Sequence, residues 1–546
     1  MANVRTAALR LIKRQISDFR FLDRLFVQAF GKPVPPELMR PVSALIICPM
    51  YLRAGVLSLG LLLASRVLGL LRESAQAAAF GATGVGDAVI VMFTLPDLLV
   101  GVVFSGALSY VLLPLWAGQS PAEQQRSQKK VAVALIGVGM LLGSLVWLLR
   151  DGLVSALAPG LQGALKTLGS DSLAWSAAAL PLALLAALWA TRLQHERDFV
   201  GVYAGSLLVN AALVVGVLVV ARTGWSVSAL PVLGGALLLG GAARLVWLYA
   251  RLPKAMPLPR RAVIPTVAGA GLPKASIWLW AALSSGLLLL LPLIARSLAS
   301  TSGEGALANF NYAWKLVELP LVLAIQLVAS LAFPAITRTE PGSAERAQAL
   351  QMAFVLAWAL ACAAVAAVAT FSSALAQLLF GWGRMSADNL GVIARWSAIG
   401  VWSLLPQALT AVLLTVMATR QQMHVAVWAY AAGALALGVA GWAGLASGAA
   451  VMLALNAVLT GVALALLVSQ RKSLLGALHW SALLTPLGMC TLLVLSKPWL
   501  TGIKGWGLPL ALLFALAVLG SAVVSSPLLK ATPGLRWFFS RTNSPP

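Results

Sequence analysis

The chain has 546 residues, of which 60% are hydrophobic and 10% are charged, and its mean hydropathy is +0.91. A soluble domain of this length cannot bury so much apolar surface, so the composition excludes a soluble globular protein and predicts a polytopic membrane protein. In a soluble protein the formal net charge of +23 would suggest binding to nucleic acid. Here the positions of the basic residues offer a simpler explanation, and we expect no nucleic-acid partner.

Apolar runs of about 20 residues, long enough to cross roughly 30 Å of hydrocarbon, recur along the whole chain. The fourteen predicted spans are 54–72, 86–115, 131–149, 174–193, 199–221, 228–250, 274–295, 306–336, 348–370, 391–418, 423–441, 445–469, 478–496 and 506–526. The predicted fold is therefore all-α and polytopic, with about 14 transmembrane helices in two lobes around a central cavity, plus two C-terminal helices.

The basic residues predict the orientation of these spans. Most of the 39 Lys and Arg fall in alternate connections, which places those connections, and both termini, in the cytoplasm. By this count Arg296 belongs to an outside connection, whereas Arg66, Arg72, Arg244 and Lys315 lie within spans. The asymmetry explains most of the net charge, and we expect a multi-pass protein of the bacterial inner membrane.

The same pattern predicts the domain organisation. A basic, proline-rich connection at 251–273 is the natural boundary between two halves of a transporter, with substrate bound between them near the midplane. The predicted divisions are an N-terminal extension (1–52), a first lobe (53–250), the cytoplasmic linker (251–273), a second lobe (274–470), and the last two helices with the cytoplasmic tail (471–546).

The N-terminal extension has apolar residues at helical spacing, interspersed with Arg and Lys. This pattern predicts a basic amphipathic helix that lies on the anionic cytoplasmic leaflet, so membrane lipids are expected partners. It lacks the continuous apolar core of a secretory signal. Met50 directly precedes the first span, so a start of translation at Met50 is the alternative.

Scattered cysteines and histidines argue against a metal or disulfide framework. The three cysteines and three histidines show no ligand spacing, and we expect no cofactor and no metal. No nucleophile–base set, metal motif or phosphate-binding glycine loop appears, so an enzyme is not expected.

The segment 65–116 is nearly all apolar yet contains several ionisable residues. Charged side chains at membrane depth are costly, so they generally face a cavity and carry function. Arg66 and Arg72 are six residues apart, about 120° apart around a helix, and could flank a lumen. A guanidinium binds phosphate oxygens in a bidentate manner, which predicts an anionic ligand. The alternative for Arg72 is a local ion pair with Glu73.

Two aspartates follow in the second span. Asp87 comes after the glycine-rich stretch 80–86 and either caps its own helix or pairs with a cavity arginine. Asp97 follows Pro96 deeper in the span, where a carboxylate could titrate during transport or hold an arginine between cycles.

A second charged group lies in the predicted eighth span. Lys315 and Glu318 are three residues apart and can meet on one helix face. They are isolated in apolar sequence, which favours a position in the cavity, although an ion pair without a ligand is the alternative.

Several motifs together resemble the MurJ/MviN family of lipid-linked cell-wall precursor flippases. In order, they are SRVLGLLRE (65–73), FGATGVGDA (80–88), LPDLL (95–99), SGALS (105–109), LLPLW (112–116) and NYAWKLVELP (311–320). The resemblance runs from about residue 53 to the C-terminus. It implies translocation of undecaprenyl-diphosphate-linked peptidoglycan precursor by alternating access. It also implies cavity roles for Arg66, Arg72, Asp87 and Lys315, and a lipid-tail groove formed by the last two helices.

The chain also departs from that family pattern. Family members typically carry an arginine pair after Pro-Asn-Leu-Leu, where this chain has Val100 and Gly101 after LPDLL. The following family glutamate is Ser105, and the family arginine of the eighth helix is Lys315. At least one cation is therefore lost, and another loses its bidentate geometry.

The expected function is thus a lipid II flippase. The binding residues are expected to be Arg66, Arg72, Asp87, Asp97, Lys315 and Glu318, and the ligand an undecaprenyl-diphosphate-linked saccharide. The energy source is left open between a coupling ion and the membrane potential. The main alternative is a flippase for another lipid-linked saccharide, such as an exopolysaccharide or glycolipid repeat unit. A multidrug/cation antiporter would favour acidic cavity residues, and a non-transporting scaffold would fit a degenerate site.

Overall fold

The computed structural model of the chain describes residues 60–223, 229–252, 273–321, 343–420, 422–471, 480–500 and 506–526. Within these ranges every regular element is a helix. Backbone contacts separate residues 1–64 from a second compact unit, Ser65–Pro546, and the packing and the site described below belong to this second unit.

The helices follow one another in a simple order. They are α1 (60–80), α2 (Gly84–Val100), α3 (Ser109–Ala117), α4 (Pro121–Leu148), α5 (Arg150–Leu157), α6 (Gly163–His195), α7 (Phe199–Thr223), α8 (Ala229–Arg251), α9 (Ala275–Ser300), α10 (306–321), α11 (Ala344–Phe380), α12 (Ala387–Gly400), α13 (Leu404–Thr419), α14 (Met423–Trp442), α15 (Gly448–Ser469), α16 (Trp480–Leu495), α17 (Lys497–Leu500) and α18 (Gly507–Ser525). A π-helical segment, Gly101–Leu108, joins α2 to α3, and the 3₁₀ turn Val401–Ser403 joins α12 to α13.

Twelve stretches of the described residues are helical, long and apolar enough to cross a membrane. They correspond to twelve of the fourteen predicted spans. The other two predicted spans, 54–72 and 306–336, extend beyond the described residues, which are helical at 60–80 and 306–321. The prediction of an all-α polytopic membrane protein is confirmed.

Several helices are longer than their predicted spans, because polar caps start them outside the apolar run. Helix α4 begins at Pro121 rather than at residue 131, where Ser120 and Glu123 form a reciprocal capping box. The Ser343 side chain likewise accepts the Arg346 N–H at the start of α11. Hydropathy alone cannot detect such polar first turns.

Helix packing groups the elements as the two-lobe expectation requires. Helices α2, α4, α7 and α8 all pack on α6, and α7 packs on α8, whereas α11 packs on α12 and α13, and α15 packs on α13 and α14. Helices α16 and α18 both pack on α11. The predicted N-terminal extension and most of the linker at 251–273 lie outside the described residues, so the domain division stays a prediction.

The connections at one end of the bundle interlock, and we call this end, formed by residues 81–87, 301–309 and 381–389, the closed end. The Gly84 N–H donates to Glu304 Oε1 at 3.1 Å, and the Arg384 N–H donates to the Ala78 carbonyl at 2.8 Å. Gly383 has a φ of +63°, and a Cβ there would overlap the Ala78 backbone. Contacts between distant parts of the sequence therefore hold this end together.

Helix α9 approaches the π-helical segment closely on the other side of the site. Ser285 Oγ donates to the Val102 carbonyl at 3.1 Å, which gives an acceptor in the irregular segment a partner. A Cβ added at Gly101 would lie 2.7 Å from Leu289 Cδ1. One of the two positions at which the family carries arginine is thus a close helix–helix contact in this chain.

Candidate functional site

A cavity of about 210 Å³ lies between α1, α2, α9 and α10. Its lining includes three basic and three acidic side chains. These six are Arg72, Arg296 and Lys315, together with Glu73, Asp97 and Glu318. Ionisable groups gathered in this way among apolar helices make this cavity the candidate functional site.

Helix α1 contributes Arg72 and Glu73 to the cavity wall. Arg72 Nη2 lies 2.8 Å from Glu73 Oε1, and the two side chains are only 11% and 7% exposed. Glu73 Oε2 accepts a second hydrogen bond, from Asn311 Nδ2 at 3.1 Å. The local ion pair considered as an alternative for Arg72 therefore exists, and it lies within the cavity wall.

Arg72 also reaches across to α2. Its Nη2 lies 3.4 Å from Asp97 Oδ2, and its guanidinium stands 5.7 Å from the ring centroid of Phe93. The Asp97 side chain is 63% exposed. Arg72 thus has one short, buried partner and one longer, accessible partner.

Helix α10 contributes Lys315 and Glu318 one turn apart. Lys315 Nζ donates to Glu318 Oε2 at 2.8 Å, and about a third of each side chain is exposed. The predicted pairing on one helix face is present, and both residues line the cavity.

Arg296 of α9 is a cavity residue that the sequence interpretation assigned wrongly. The predicted seventh span ends at residue 295 and leaves Arg296 in a connection, whereas α9 continues to Ser300. Its Nη1 donates to Asn311 Oδ1 at 3.0 Å and its Nη2 to Thr94 Oγ1 at 2.7 Å. Because no salt bridge pairs it with a described carboxylate, Arg296 is the cation of this wall whose charge is least neutralised. The small and apolar residues that follow Arg296 in the sequence could have indicated that the helix continues past residue 295.

Asp87 is placed elsewhere, at the closed end. Its carboxylate accepts the backbone N–H groups of Gly305 at 2.9 Å and Ala308 at 2.7 Å, and so caps the start of α10. Thr83, not Asp87, caps α2 through a bond from the Gly86 N–H. The expectation that Asp87 caps its own helix is wrong, and no described cavity arginine forms a salt bridge with it.

Arg66 is exposed on α1 and is not part of the described cavity lining. The structure therefore does not bring Arg66 together with Arg72 in the described cavity wall. Among the residues that the structure describes, no three His, Cys, Asp or Glu side chains are grouped so as to hold a metal ion. The described cysteines, Cys362 and Cys490, are buried and free.

The apolar helices, the two packed groups and the charged cavity define a multi-pass helical membrane protein with a polar site among its spans. Comparison with known proteins identifies the family. The sequence model of MurJ, described as lipid II flippase MurJ, matches residues 76–515. The chain belongs to the MurJ family.

Individual relatives are similar at moderate identity. The lipid II flippase MurJ of Burkholderia cenocepacia is 26% identical over 362 residues, which cover 62% of this chain and 67% of that protein. A solved structure of lipid II flippase MurJ in an inward closed conformation superimposes with a TM-score of 0.69 at 15% identity, covering 86% of this chain and 98% of the other. An inward-facing MATE-family multidrug resistance transporter gives 0.58 at 15% identity, with 76% and 95% covered. These structural matches show the shared fold.

Proposed function

We propose that this protein is a flippase that moves undecaprenyl-diphosphate-linked peptidoglycan precursor, lipid II, across the bacterial inner membrane by alternating access. The observation that carries the proposal is the cavity with Arg72, Arg296 and Lys315 in a chain of the MurJ family. Guanidinium and ammonium groups in a site of low dielectric bind phosphate oxygens strongly. The prenyl chain would remain in the lipid while the diphosphate and sugar pass through the cavity.

The two basic groups with neutral or exposed partners are the proposed diphosphate contacts. Arg296 donates to an amide and a hydroxyl, and neither of these can neutralise its charge. Lys315 shares one accessible carboxylate, Glu318. A diphosphate can therefore replace partners at both positions without leaving a buried acid unpaired.

The contacts at the closed end fit an outer gate. The distribution of basic residues predicts that residues 81–83 face the outside. In an alternating-access cycle the Asp87 carboxylate would release the N–H groups of Gly305 and Ala308 as this end opens. The same step would separate Arg384 from the Ala78 carbonyl.

Complementation tests the proposal. The chain is expressed in a bacterium depleted of its own lipid II flippase, and growth and export of lipid II are measured. We expect growth with the wild-type chain and its loss with Arg296→Ala or Lys315→Ala. The matched control is Arg222→Ala, an exposed arginine at the end of α7, which should support growth. Growth with both cavity variants would reject the proposed diphosphate site.

A second candidate substrate, another lipid-linked saccharide, is favoured by one observation. Gly101 stands at a position where family members carry arginine, so this chain has no basic side chain there, and its Cα faces the Leu289 side chain of α9. Failure of complementation with the protein confirmed in the membrane would favour this candidate. Analysis of secreted polysaccharide and glycolipid after deletion of the native gene would then identify the product.

A further inference from the structure

Asn311 of α10 stands between a cation and an anion of the cavity. Its Oδ1 accepts a hydrogen bond from Arg296 Nη1 at 3.0 Å, and its Nδ2 donates to Glu73 Oε2 at 3.1 Å. The residue is buried and lines the cavity together with both partners. A guanidinium only donates and an ionised carboxylate only accepts, so the amide can take a single orientation here. One neutral side chain thus separates two opposite charges.

Arg296 is held in place by neutral partners. The second of these is Thr94 Oγ1, which accepts Nη2 at 2.7 Å while its own hydroxyl donates to the Ile90 carbonyl at 2.7 Å. Three carboxylates line the same cavity, yet among the described residues none forms a salt bridge with Arg296. Arg72, in contrast, has the Glu73 carboxylate at 2.8 Å. The Nε of Arg296 also lacks a hydrogen-bond partner in the described part of the chain, so this guanidinium keeps both its charge and a spare donor.

We propose that Asn311 is a positioning residue for substrate binding, whose amide keeps Glu73 from pairing with Arg296 and so keeps that guanidinium available to the diphosphate. This inference rests on the proposed function, in which Arg296 contacts the diphosphate. Without the amide, the two opposite charges would attract each other strongly in a site of low dielectric. A substrate would then have to break a buried ion pair and leave its carboxylate uncompensated, which is costly.

The position of Asn311 on its helix fits this role. Asn311 and Lys315 are four residues apart, so they share one face of α10, and both line the cavity. The helix therefore presents the neutral amide to Arg296 of α9 and, one turn later, an ammonium group of its own. The two proposed diphosphate contacts are thus brought to one cavity, and only one of them has a carboxylate as its direct partner.

Binding of farnesyl diphosphate to the purified full-length protein in detergent, measured by isothermal titration calorimetry, tests the proposal. Asn311→Asp keeps the size of the side chain and the acceptor for Arg296, but it puts a carboxylate against the guanidinium. The new carboxylate and Glu73 would each face an arginine of their own, so both should stay ionised. We expect Asn311→Asp to bind about tenfold more weakly than the wild type, because the charge of Arg296 is neutralised.

Three further proteins separate charge from hydrogen bonding. Thr94→Val removes the other acceptor of Arg296 without adding a charge, and should lose no more than about threefold in affinity. Asn456→Asp makes the same substitution in α15, where Asn456 donates to the Ile399 carbonyl outside the described cavity lining, and should match the wild type. In an Arg296→Ala background, Asn311→Asp should cause little further loss, because the cation that it neutralises is gone.

The remaining outcomes distinguish this inference from the proposed function. If Arg296→Ala weakens binding but Asn311→Asp binds like the wild type, the role of Asn311 is refuted and the cavity site stands. A full tenfold loss from Asn311→Asp in the Arg296→Ala background would also refute that role, because the carboxylate would then repel the ligand directly. No binding by the wild type, or undiminished binding by Arg296→Ala, would contradict the proposed diphosphate contact itself.

A second variant covers the case in which Asn311→Asp does not purify as a folded protein. Thr94→Asp places a carboxylate against Arg296 Nη2, at the other neutral partner of the guanidinium. The same loss of about tenfold is expected there, because neutralisation of Arg296 is again the cause. Binding as tight as that of the wild type would refute the requirement for neutral partners around Arg296.

Discussion

Asp87 and Asp97 lie on the same helix, α2, and have opposite surroundings. Asp87 is 2% exposed, and each of its oxygens accepts a backbone N–H from the region where α10 begins. Asp97 is largely exposed, and its one salt bridge among the described residues is the long contact with Arg72. The same side chain thus has fixed partners at the closed end and an exchangeable partner in the cavity.

The partners of Asp87 and Asp97 differ in what must move before they can release the carboxylate. Backbone N–H groups at a helix start can leave a carboxylate only if the helix moves or frays, so contacts of the Asp87 type join whole elements. A guanidinium on a long side chain can take another anion while the backbone stays in place. Transport needs both kinds of contact, because a gate must hold until a lobe moves and a binding site must exchange partners with each substrate.

The largest expected loss of stability tests the difference between fixed and exchangeable partners inside the cavity. Glu73→Ala removes the buried partner of Arg72, which leaves the guanidinium with only its long contact to Asp97 and the Asn311 amide without this acceptor. Breaking a buried ion pair in this way should lower the free energy of unfolding by about 3–5 kcal/mol. Thermal unfolding of the purified variant in detergent measures the loss.

The matched control for Glu73→Ala is Glu318→Ala. It removes the carboxylate of an ion pair that is a third exposed, and should cost about 1 kcal/mol or less. Equal losses for the two variants would mean that burial does not separate fixed from exchangeable pairs in this cavity.

A smaller loss of stability is expected when Asp87 is substituted. Asp87→Asn keeps one acceptor oxygen and turns an amide towards the start of α10, so one of the two N–H groups from Gly305 and Ala308 loses its partner. A buried donor without an acceptor costs about 1–3 kcal/mol. The unfolding midpoint of Asp87→Asn should therefore fall clearly below that of the wild type.

Asp97→Asn is the same substitution on the same helix and serves as the control. We expect its unfolding midpoint to stay near that of the wild type, because Asp97 is exposed and its contact is long. A larger loss for Asp97→Asn than for Asp87→Asn would reverse the assignment of fixed and exchangeable contacts.

Much of the fold could be predicted because apolar runs determine which segments cross a membrane. Twelve predicted spans correspond to described helices, but their ends were misplaced wherever a polar first turn is capped, as at Ser120. The π-helical segment Gly101–Leu108 could not be predicted. Its Val102 carbonyl accepts a hydrogen bond from Ser285 of α9, and hydropathy does not record such a tertiary contact.

The site was predictable to the extent that each residue is ionisable and lies within a predicted apolar span. Arg72, Asp97, Lys315 and Glu318 do so, and all four line the cavity. Arg66 and Asp87 satisfy the same criterion but do not line it, because helix rotation and a backbone acceptor role follow from tertiary packing. Arg296 was missed since the predicted span ended one residue too early, and α9 joins it to Asn311 and Thr94 only through the fold.

The smallest expected effect concerns a third aspartate, Asp198, which combines both kinds of partner. It accepts the Gly201 N–H at 2.9 Å, and Arg251 of α8 through two bonds at 2.7 and 3.0 Å. Partial burial acts to raise the pKa of Asp198, but these hydrogen bonds and the charge of Arg251 hold the pKa below its ordinary value. The Asp198 carboxylate therefore stabilises the fold above its unfolded pKa of about 4, and this contribution is lost as pH falls through the folded pKa.

We expect the unfolding midpoint of the wild type to decline below about pH 4, and that of Asp198→Asn to decline less. The free energies of unfolding of the two proteins should differ by about 1 kcal/mol or less at neutral pH. An equally steep decline in both proteins would assign the acid sensitivity to other carboxylates, and the Asp198–Arg251 pair would then contribute nothing measurable.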